Sequence, residues 1–308
     1  MSGIFIFSED SALARQLLTP ALELKKSLTQ PITALALNES DAKELATLGA
    51  DKAVVLQSSS KWVEGFAEAI FTQVSKAQGS ILLVGGSIRG KHVAAYVAAK
   101  LNAGMITDAK TLKIENGKLL ATRVLYAGLA QCEEEVVFPA VATIRARTFL
   151  APSAATTAGS IETVVVDGDA RVTISKVTPT GETGVDITAA TKLIAVGRGF
   201  RKKEDLKLAE DLAAVLKAEL ACSRGVAEDE HWLPVARYVG ISGQTVKPEL
   251  YLAVGLSGQV QHMVGCRESK VIVAVNNDEH APIFEAADYG IVGDLYEILP
   301  LLTAALRK

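Results

Sequence analysis

The amino-acid sequence predicts an α/β protein with two doubly wound parallel-sheet domains, the first of which carries an antiparallel annex. Near both ends of the chain, short apolar segments alternate with amphipathic helical segments, as in parallel sheets with helices on both faces. In the middle of the chain the hydrophobic period changes to two, which is typical of antiparallel strands. The length of 308 residues exceeds what one hydrophobic core usually supports, so we expect two domains, at 1–180 and 181–308.

Four units, each a strand followed by a helix, are expected in the first domain. Each unit has a short apolar run, a polar turn and then a helical apolar face, and consecutive parallel strands need such a crossover helix. The predicted strands are 3–7, 32–37, 52–56 and 80–84, and the predicted helices are 13–28, 40–48, 61–76 and 89–100.

The antiparallel annex is expected after about Lys110. Alternating segments flank Asn116 and Gly117, the dipeptide that best tolerates the positive φ of a tight hairpin turn. Small and polar residues at 151–159, together with the turn-forming segment 178–181, predict a domain boundary near residue 180. The strands expected in the annex are 111–115, 119–126, 134–138 and 141–148, and a further pair is expected around Val164 and Val172.

The second domain repeats the alternation of strands and helices. Its apolar runs contain few polar residues, which indicates strands that are buried on both faces. The first helix is predicted from a leucine and alanine face that begins at Leu206. The predicted strands are 193–196, 221–223, 250–254, 271–275 and 289–292, and the last helix is expected at 295–306.

The composition excludes several classes of function. Lys and Arg number 32 against 35 Asp and Glu, a net charge of −3, so no general basic field attracts nucleic acid or an anionic membrane. Three cysteines lie far apart without a C-x-x-C pair, and the four histidines show no ligand spacing. These patterns argue against a disulfide framework and against a metal site.

A cytoplasmic location is expected. The mean hydropathy of +0.26 is high, but the most apolar runs are strand-sized and fall short of the roughly 18 to 20 residues that a membrane-spanning helix needs. The N-terminus lacks the basic region, apolar core and cleavage site of a secretory signal.

Two glycine- and serine-containing turns are candidate binding loops. The segments 239–243 and 254–258 are nearly identical, and the second leaves a strand and enters a helix that carries His262 in its first turn. Backbone N–H groups at such a turn favour a phosphate. Arg198 and Arg224 each follow a strand, at the edge where open α/β sheets bind ligands.

The second of these loops belongs to a longer pattern. The sequence from Leu250 to His262 is Leu-Tyr-Leu-Ala-Val-Gly-Leu-Ser-Gly-Gln-Val-Gln-His, and Ser269-Lys270 and the strand up to Asn276 follow it. This pattern closely resembles the signature of the electron transfer flavoprotein (ETF) alpha subunit. The resemblance extends from about Leu193 to the C-terminus, and the N-terminal domain also fits it.

The resemblance implies a second domain of the ETF alpha C-terminal, FAD-binding type and a first domain that faces an ETF beta subunit, in which AMP is expected. It implies an electron carrier rather than an enzyme. The expected electron donors are flavin dehydrogenases such as the acyl-CoA dehydrogenases of fatty acid β-oxidation, and the expected acceptor is a membrane ETF-quinone oxidoreductase.

The resemblance also implies which residues contact FAD. They comprise a glycine-arginine turn, a serine-arginine pair beside the isoalloxazine ring, a loop near flavin N5, a loop that holds phosphate and ring, and positions near the adenosine end. In that order they are Arg198; Ser223 and Arg224; Val239, Gly240 and Ser242; Ser257, Gly258, Gln259, Val260, Gln261 and His262; and Asn276, Asp294 and Leu295.

The loop near N5 departs from the family pattern. Many members have Gln-Val-Gly-Gln-Thr-Gly where this chain has Tyr-Val-Gly-Ile-Ser-Gly at 238–243. Arg224 and His262 are expected to act as cations beside the flavin. Reduced flavin carries negative charge, so a nearby cation should raise its reduction potential.

The segment from Gly85 to Lys91 fits G-x-x-x-x-G-K after a strand and before a helix. In a flavin carrier we expect it to be a tightly packed turn or a vestigial nucleotide loop, and two alternative functions would use it. One is an ATP-dependent enzyme and the other is a non-enzymatic nucleotide-sensing module. His92 stands where a P-loop needs a Ser or Thr hydroxyl for Mg²⁺. A flavin carrier should be coloured and should tolerate Lys91→Ala, whereas a P-loop enzyme should be colourless and should lose its function.

Overall fold

The computed structural model describes residues 3–126, 129–155, 157–167, 171–178 and 186–307. The chain divides into two compact units, Met1–Val177 and Thr178–Lys308. The predicted boundary near residue 180 falls in 179–185, which lies outside the described residues.

The first unit contains ten strands and four α-helices among its described residues. One turn of 3-10 helix, Val63–Phe66, precedes the third α-helix. The strands are β1 (Ile4–Phe7), β2 (Ile32–Ala36), β3 (Lys52–Gln57), β4 (Ile81–Gly85), β5 (Gly104–Ile106), β6 (Ala109–Glu115), β7 (Lys118–Leu125), β8 (Ala130–Val136), β9 (Ala140–Ile144) and β10 (Ser160–Val165), and the helices are α1 (Ser11–Leu28), α2 (Glu39–Leu48), α3 (Ala67–Ser75) and α4 (Ile88–Leu101).

Seven of these strands form a parallel sheet in the order β10-β3-β2-β1-β4-β9-β5. Apolar side chains of β1 alternate between two cores: Ile4 and Ile6 pack with α1 and α2, and Phe5 and Phe7 pack with α3 and α4. Helices therefore cover both faces of the sheet, as the predicted doubly wound fold requires.

The hairpin of the annex is confirmed, and its extent is corrected. Asn116 and Gly117 both have positive φ, 51° and 74°, and connect β6 to β7 in the antiparallel sheet β6-β7-β8. The segment predicted at 141–148 is not part of this annex, since β9 pairs in parallel with β4 and β5. Likewise, β10 pairs in parallel with β3, and Val172 lies in no strand. An apolar run such as β9 suits a strand that is buried on both faces, and sequence periodicity alone does not identify its neighbour.

The second unit contains five strands and four α-helices among its described residues. The final helix has the bounds that the sequence predicts. The strands are β11 (Lys192–Val196), β12 (Glu219–Cys222), β13 (Leu250–Val254), β14 (Ile272–Asn276) and β15 (Tyr289–Val292), and the helices are α5 (Lys207–Leu216), α6 (Val260–Cys266), α7 (Ile283–Ala286) and α8 (Leu295–Leu306).

These five strands form a parallel sheet in the order β12-β11-β13-β14-β15. One core packs α5 and α8 against the sheet and the other packs α6 and α7 against its opposite face. The strand order reverses between β11 and β13, so the connections leave in opposite directions there and open a crevice at the carboxyl ends of these strands. No helix in the described part of the chain is both long and apolar enough to cross a membrane.

Candidate functional site

The carboxyl ends of four strands in the second sheet are level with one another. Val196 is opposite both Cys222 and Val254, and Val254 is opposite Val275. The residue that follows each of these therefore lies on the same edge of the sheet. This register brings together four predicted site segments that are far apart in the sequence, those that begin at Gly197, Ser223, Gly255 and Asn276.

Two glycine turns meet at the crevice between β11 and β13. The backbone N–H of Gly199 donates to the carbonyl of Gly255 at 3.0 Å. A Cβ on Gly197 would lie 2.2 Å from that same carbonyl oxygen, so no side chain fits at this contact. Arg198, between the two glycines, is exposed, and its side chain passes over Gly225.

A pocket of about 620 Å³ adjoins this turn. Its volume lies within the range of small-molecule sites. Arg198 and Arg201 provide positive charge in it, and Trp232 provides an aromatic face. The lining residues are Arg198, Phe200, Arg201, Glu230 and Trp232.

The serine-arginine pair follows β12. The backbone N–H of Ser223 donates to the carbonyl of Val196 at 3.0 Å, while its hydroxyl oxygen is buried without a hydrogen-bond partner among the described residues. Arg224 is exposed, and its Nε donates to the carboxylate of Glu228 at 2.5 Å. This hydrogen bond raises the pKa of Arg224. Arg224 is therefore a cation, as expected, but one with an acidic partner that the sequence analysis did not anticipate.

The predicted N5 loop packs against the first turn of α6. Val239 extends from the end of β12, since its N–H donates to the carbonyl of Cys222 at 3.0 Å. The N–H of Ile241 donates to the carbonyl of Gln261 at 2.8 Å. A Cβ on Gly240 would lie 3.0 Å from that same Gln261 oxygen. Ser242 is exposed on this loop, and its hydroxyl lies 3.1 Å from the hydroxyl of Tyr238.

The segment 257–262 forms the loop and first helical turn that the sequence predicts. Gly258 has a φ of 79°, and a Cβ there would lie 2.3 Å from the backbone nitrogen of Ile283. The N–H of Ile283 donates to the carbonyl of Ser257 at 3.0 Å, so α7 holds this loop in place. Ser257, Gln259, Val260 and Gln261 are exposed at the sheet edge.

His262 differs from its neighbours because only 8% of it is exposed. Its Nε2 lies 2.7 Å from the hydroxyl of Tyr251 on β13, and its Nδ1 is buried without a hydrogen bond among the described residues. Burial lowers the pKa of His262 to about 4, although the nearby Val239 carbonyl acts in the opposite direction. His262 is thus neutral at pH 7, and the expectation that it acts as a cation is wrong.

Of the three residues predicted near the adenosine end, Asn276 and Leu295 support the glycine turns and Asp294 caps a helix. Asn276 donates from Nδ2 to the carbonyl of Leu256 at 2.8 Å. Asp294 caps α8 by accepting the N–H of Tyr296 at 2.9 Å. Leu295 is buried, and its Cδ2 packs where Cβ atoms of Gly199 and Gly255 would be, at 3.3 and 3.1 Å.

All fifteen predicted residues therefore lie along one edge of the second sheet. Three contacts of these residues are not among those predicted from the sequence: Tyr251 with His262, Tyr238 with Ser242, and Glu228 with Arg224. A signal for Tyr251 was present, because a tyrosine in an otherwise apolar central strand needs a partner for its hydroxyl. Glu228 stands four residues after Arg224, the spacing of helical ion pairs.

Known protein families match the sequences of both units. Residues 9–169 match the family model described as an electron transfer flavoprotein domain, and residues 186–267 match the electron transfer flavoprotein FAD-binding domain. Over 314 residues the chain is 40% identical to Protein FixB of Escherichia coli O6:K15:H31, covering 100% of this chain and 99% of that protein.

Two further relatives give the same result. Protein FixB of Shigella flexneri is 41% identical over 315 residues and that of Salmonella typhimurium is 38% identical over 313, each with 100% of this chain and 99% of the relative covered. This chain belongs to the ETF alpha family. Among solved structures, a thiamin diphosphate-dependent enzyme from Mycobacterium smegmatis shows 11% identity and a TM-score of 0.24, over 97% of this chain and 59% of that one, a likeness too weak to indicate a relationship.

FAD is the cofactor of this ETF alpha chain, and two buried atoms at the site suit it. In the described part of the second unit, Ser223 Oγ and His262 Nδ1 are the buried side-chain polar atoms without a partner. Buried polar atoms are nearly always hydrogen-bonded in folded proteins, and a flavin presents the polar edge that these two lack. Both atoms belong to residues that the sequence predicts to bind FAD.

The G-x-x-x-x-G-K segment of this ETF alpha chain does not form a phosphate loop. Gly90 and Lys91 lie inside α4, and the Lys91 ammonium pairs with Asp108 at 2.8 Å. Ser87 caps α4 and donates its hydroxyl to the carboxylate of Glu9 at 2.5 Å. The carboxylate of Glu9 thus occupies the N-terminal end of α4, where a phosphate would have to bind.

Proposed function

We propose that this chain is the FAD-binding alpha subunit of a heterodimeric ETF whose beta subunit carries AMP. It accepts electrons from flavin dehydrogenases, such as the acyl-CoA dehydrogenases of fatty acid β-oxidation, and passes them to a membrane ETF-quinone oxidoreductase from the cytoplasm. The observation that carries the proposal is the pair of partnerless buried atoms, Ser223 Oγ and His262 Nδ1, at the reversal point of the second sheet.

The charges at the site suit a carrier of electrons. Bound FAD supplies the capacity to take up and release one or two electrons. Reduction of bound FAD would add negative charge, which the exposed cations Arg198 and Arg224 would offset. Neither cation is buried, so both respond to solvent and to a docked partner as well as to the cofactor.

A carrier role also agrees with the state of the cysteines near the site. Burial raises the pKa of Cys222 to about 12 and that of Cys266 to about 12. Both therefore remain thiols at neutral pH, and neither supplies the thiolate that nucleophilic or thiol-disulfide chemistry requires. The redox chemistry is thus assigned to the flavin rather than to these side chains.

A partner subunit is proposed because the second unit covers the site from one side. Ser242, Ser257 and Gln261 are exposed at the sheet edge, and so are the two arginines. A flavin held by these residues would keep one side open. The ETF beta subunit is expected to cover part of that side and to leave the rest accessible to electron donors and acceptors.

The first experiment is a visible spectrum of the chain co-purified with its candidate beta subunit, followed through stepwise anaerobic reduction. We expect flavin absorbance at one FAD per heterodimer. The variant Ser223→Ala with His262→Gln should form the same heterodimer with less FAD. A colourless heterodimer that takes up no added FAD would contradict the proposal.

Donor and acceptor are tested separately on the coloured heterodimer. Acyl-CoA dehydrogenase with its substrate should bleach the flavin, and ETF-quinone oxidoreductase with quinone should restore the colour. If FAD binds but neither enzyme exchanges electrons with it, the proposed partners are wrong while the FAD-binding role remains.

A further inference from the structure

The hydrogen bond between Tyr251 and His262 connects the core of the second unit to the proposed flavin site. Tyr251 lies in β13, which is central in its sheet, and its side chain is fully buried. The rest of β13 is apolar. A hydroxyl in such a place needs a specific partner, because water does not reach it.

The hydroxyl of Tyr251 has one proton to donate and His262 Nε2 lies 2.7 Å away. The thiols of Cys266 and, more weakly, Cys222 also act on Tyr251, and a thiol is a weak acceptor. Burial raises the pKa of Tyr251 well above its ordinary value, and Cys266 adds to this shift. The tyrosine therefore keeps its proton and donates it in a hydrogen bond to Nε2 of His262.

The direction of this hydrogen bond determines where His262 carries its own proton. A neutral imidazole has one N–H donor and one acceptor nitrogen. Since Nε2 accepts from Tyr251, the ring proton lies on Nδ1. That atom is buried and makes no hydrogen bond of normal geometry to the described residues, although the Val239 carbonyl lies near the ring and acts to raise the pKa of His262.

We propose that Tyr251 is a positioning residue that holds His262 in the Nδ1–H tautomer, so that Nδ1 donates a hydrogen bond to an acceptor atom of the flavin. This inference rests on the proposed FAD-binding function. A donor to the flavin strengthens when reduction adds negative charge to its acceptor, because hydrogen bonds to charged groups are about twice as strong as neutral ones. Tyr251 thereby favours reduced flavin without touching it.

The tautomer is measured directly by ¹⁵N NMR of the histidine rings. The full-length chain, labelled with [¹⁵N]histidine and bound to unlabelled beta subunit, is examined without FAD. His262→Gln identifies the His262 signals among the four histidines. We expect the Nδ1–H pattern in the wild type, and a wild-type ring protonated on Nε2 would overturn the inference.

Tyr251→Phe then removes the hydroxyl and keeps the ring. It should release His262 from the Nδ1–H form, giving a mixture of tautomers or the Nε2–H form. Tyr238→Phe is the matched control, since it removes a buried hydroxyl of the same unit that bonds to Ser242 instead, and it should leave the His262 tautomer unchanged. An unchanged tautomer in Tyr251→Phe would overturn the inference even if the wild type shows Nδ1–H.

The consequence for the flavin is measured as a midpoint potential in the FAD-loaded heterodimer. Tyr251→Phe should weaken binding of reduced relative to oxidised flavin by up to about tenfold, which lowers a one-electron potential by about 59 mV. If FAD binds and the potential does not move, the inference fails and the FAD-binding function stands. If no variant or wild type binds FAD, the function fails, and the tautomer result still decides what Tyr251 does to His262.

Discussion

The hydroxyl of Tyr238 lies 3.1 Å from the hydroxyl of Ser242. These are two of the positions at which this chain departs from the glutamine- and threonine-containing loop of many ETF alpha chains. The two departures thus contact each other. Tyr238 is 3% exposed, so its hydroxyl anchors the loop from inside the unit. Ile241, at the third departure, is 59% exposed and holds the loop through its backbone N–H alone.

Tyr238→Phe should weaken FAD binding by removing the anchor of Ser242. A hydrogen bond between side chains contributes about 0.5–1.5 kcal/mol net, so we expect an affinity loss of about twofold to tenfold, measured by flavin fluorescence quenching. Tyr96→Phe is the control, because its hydroxyl bonds to Glu68 in the first unit. Equal affinities in both variants would show that the Tyr238 hydroxyl does not support the site.

Gly258→Ala should disrupt the loop before α6. Gly258 has a φ of 79° and a Cβ would lie 2.3 Å from backbone nitrogen, so positive-φ strain and a steric clash combine to about 3–5 kcal/mol. Gly117→Ala is the matched control, with a φ of 74° and no atom within 4 Å, and should cost about 1–2 kcal/mol. Urea unfolding and FAD content check both. Similar losses of unfolding free energy in the two variants would contradict the proposed steric clash at Gly258.

Acid should destabilise the second unit through His262. Its pKa falls from 6.5 to about 4 on folding, so between these values the unfolded chain binds more protons than the folded one and stability rises with pH. The stability gained from keeping His262 neutral is fully present above pH 6.5 and is lost as the pH falls to about 4. The shift corresponds to about 3 kcal/mol.

Urea unfolding at several pH values measures this dependence. Tyr251, which contacts the His262 ring, and Cys266, whose thiol contacts the His262 backbone carbonyl, are uncharged over the whole range because burial raises the pKa of each. His262→Gln should flatten the slope between pH 4 and 6.5. His280→Gln, at a side chain that is 86% exposed, should keep the wild-type slope, and a wild-type slope in His262→Gln would contradict the assignment.

Arg224→Ala should lower the midpoint potential of the bound flavin, because a positive charge beside the site favours the reduced form. The effect should be on the order of tens of millivolts, since exposed charge pairs are weak and Glu228 already pairs with Arg224. Spectroelectrochemical titration measures it. Arg224→Lys keeps the charge and should retain most of the potential. An unchanged titration in Arg224→Ala would exclude this electrostatic role.

Lys91→Ala distinguishes the flavin carrier from an ATP-dependent enzyme or a nucleotide sensor. Lys91 pairs with Asp108, which Arg145 also contacts at 2.9 Å, so we expect a stability loss of about 1 kcal/mol or less. FAD content and electron transfer should equal those of the wild type. Loss of either would favour a nucleotide-binding role for the segment 85–91. Calorimetry of the wild type with ATP would then measure that binding.

Much of the fold follows from local patterns in the sequence. The hairpin at Asn116 and Gly117 is predicted because few other dipeptides accept two positive φ values. The helix α8 has the bounds that its helical apolar pattern predicts, and Asp294 caps it in the structure. The assignment of 141–148 to the annex is wrong. An apolar sequence indicates that a strand is buried, but it does not identify the strand with which it pairs.

The sequence by itself determined the alternation of strands and helices, the glycine turns, and, through its resemblance to ETF alpha, the set of residues expected at the site. Only the tertiary structure decided their chemical states. His262 is neutral because residues from distant segments bury it, its Nε2 has a partner because Tyr251 lies on β13, against which α6 packs, and Lys91 is paired because Asp108 reaches it. Charge and hydrogen bonding depend on neighbours in space, and those neighbours are set by the register of the sheets.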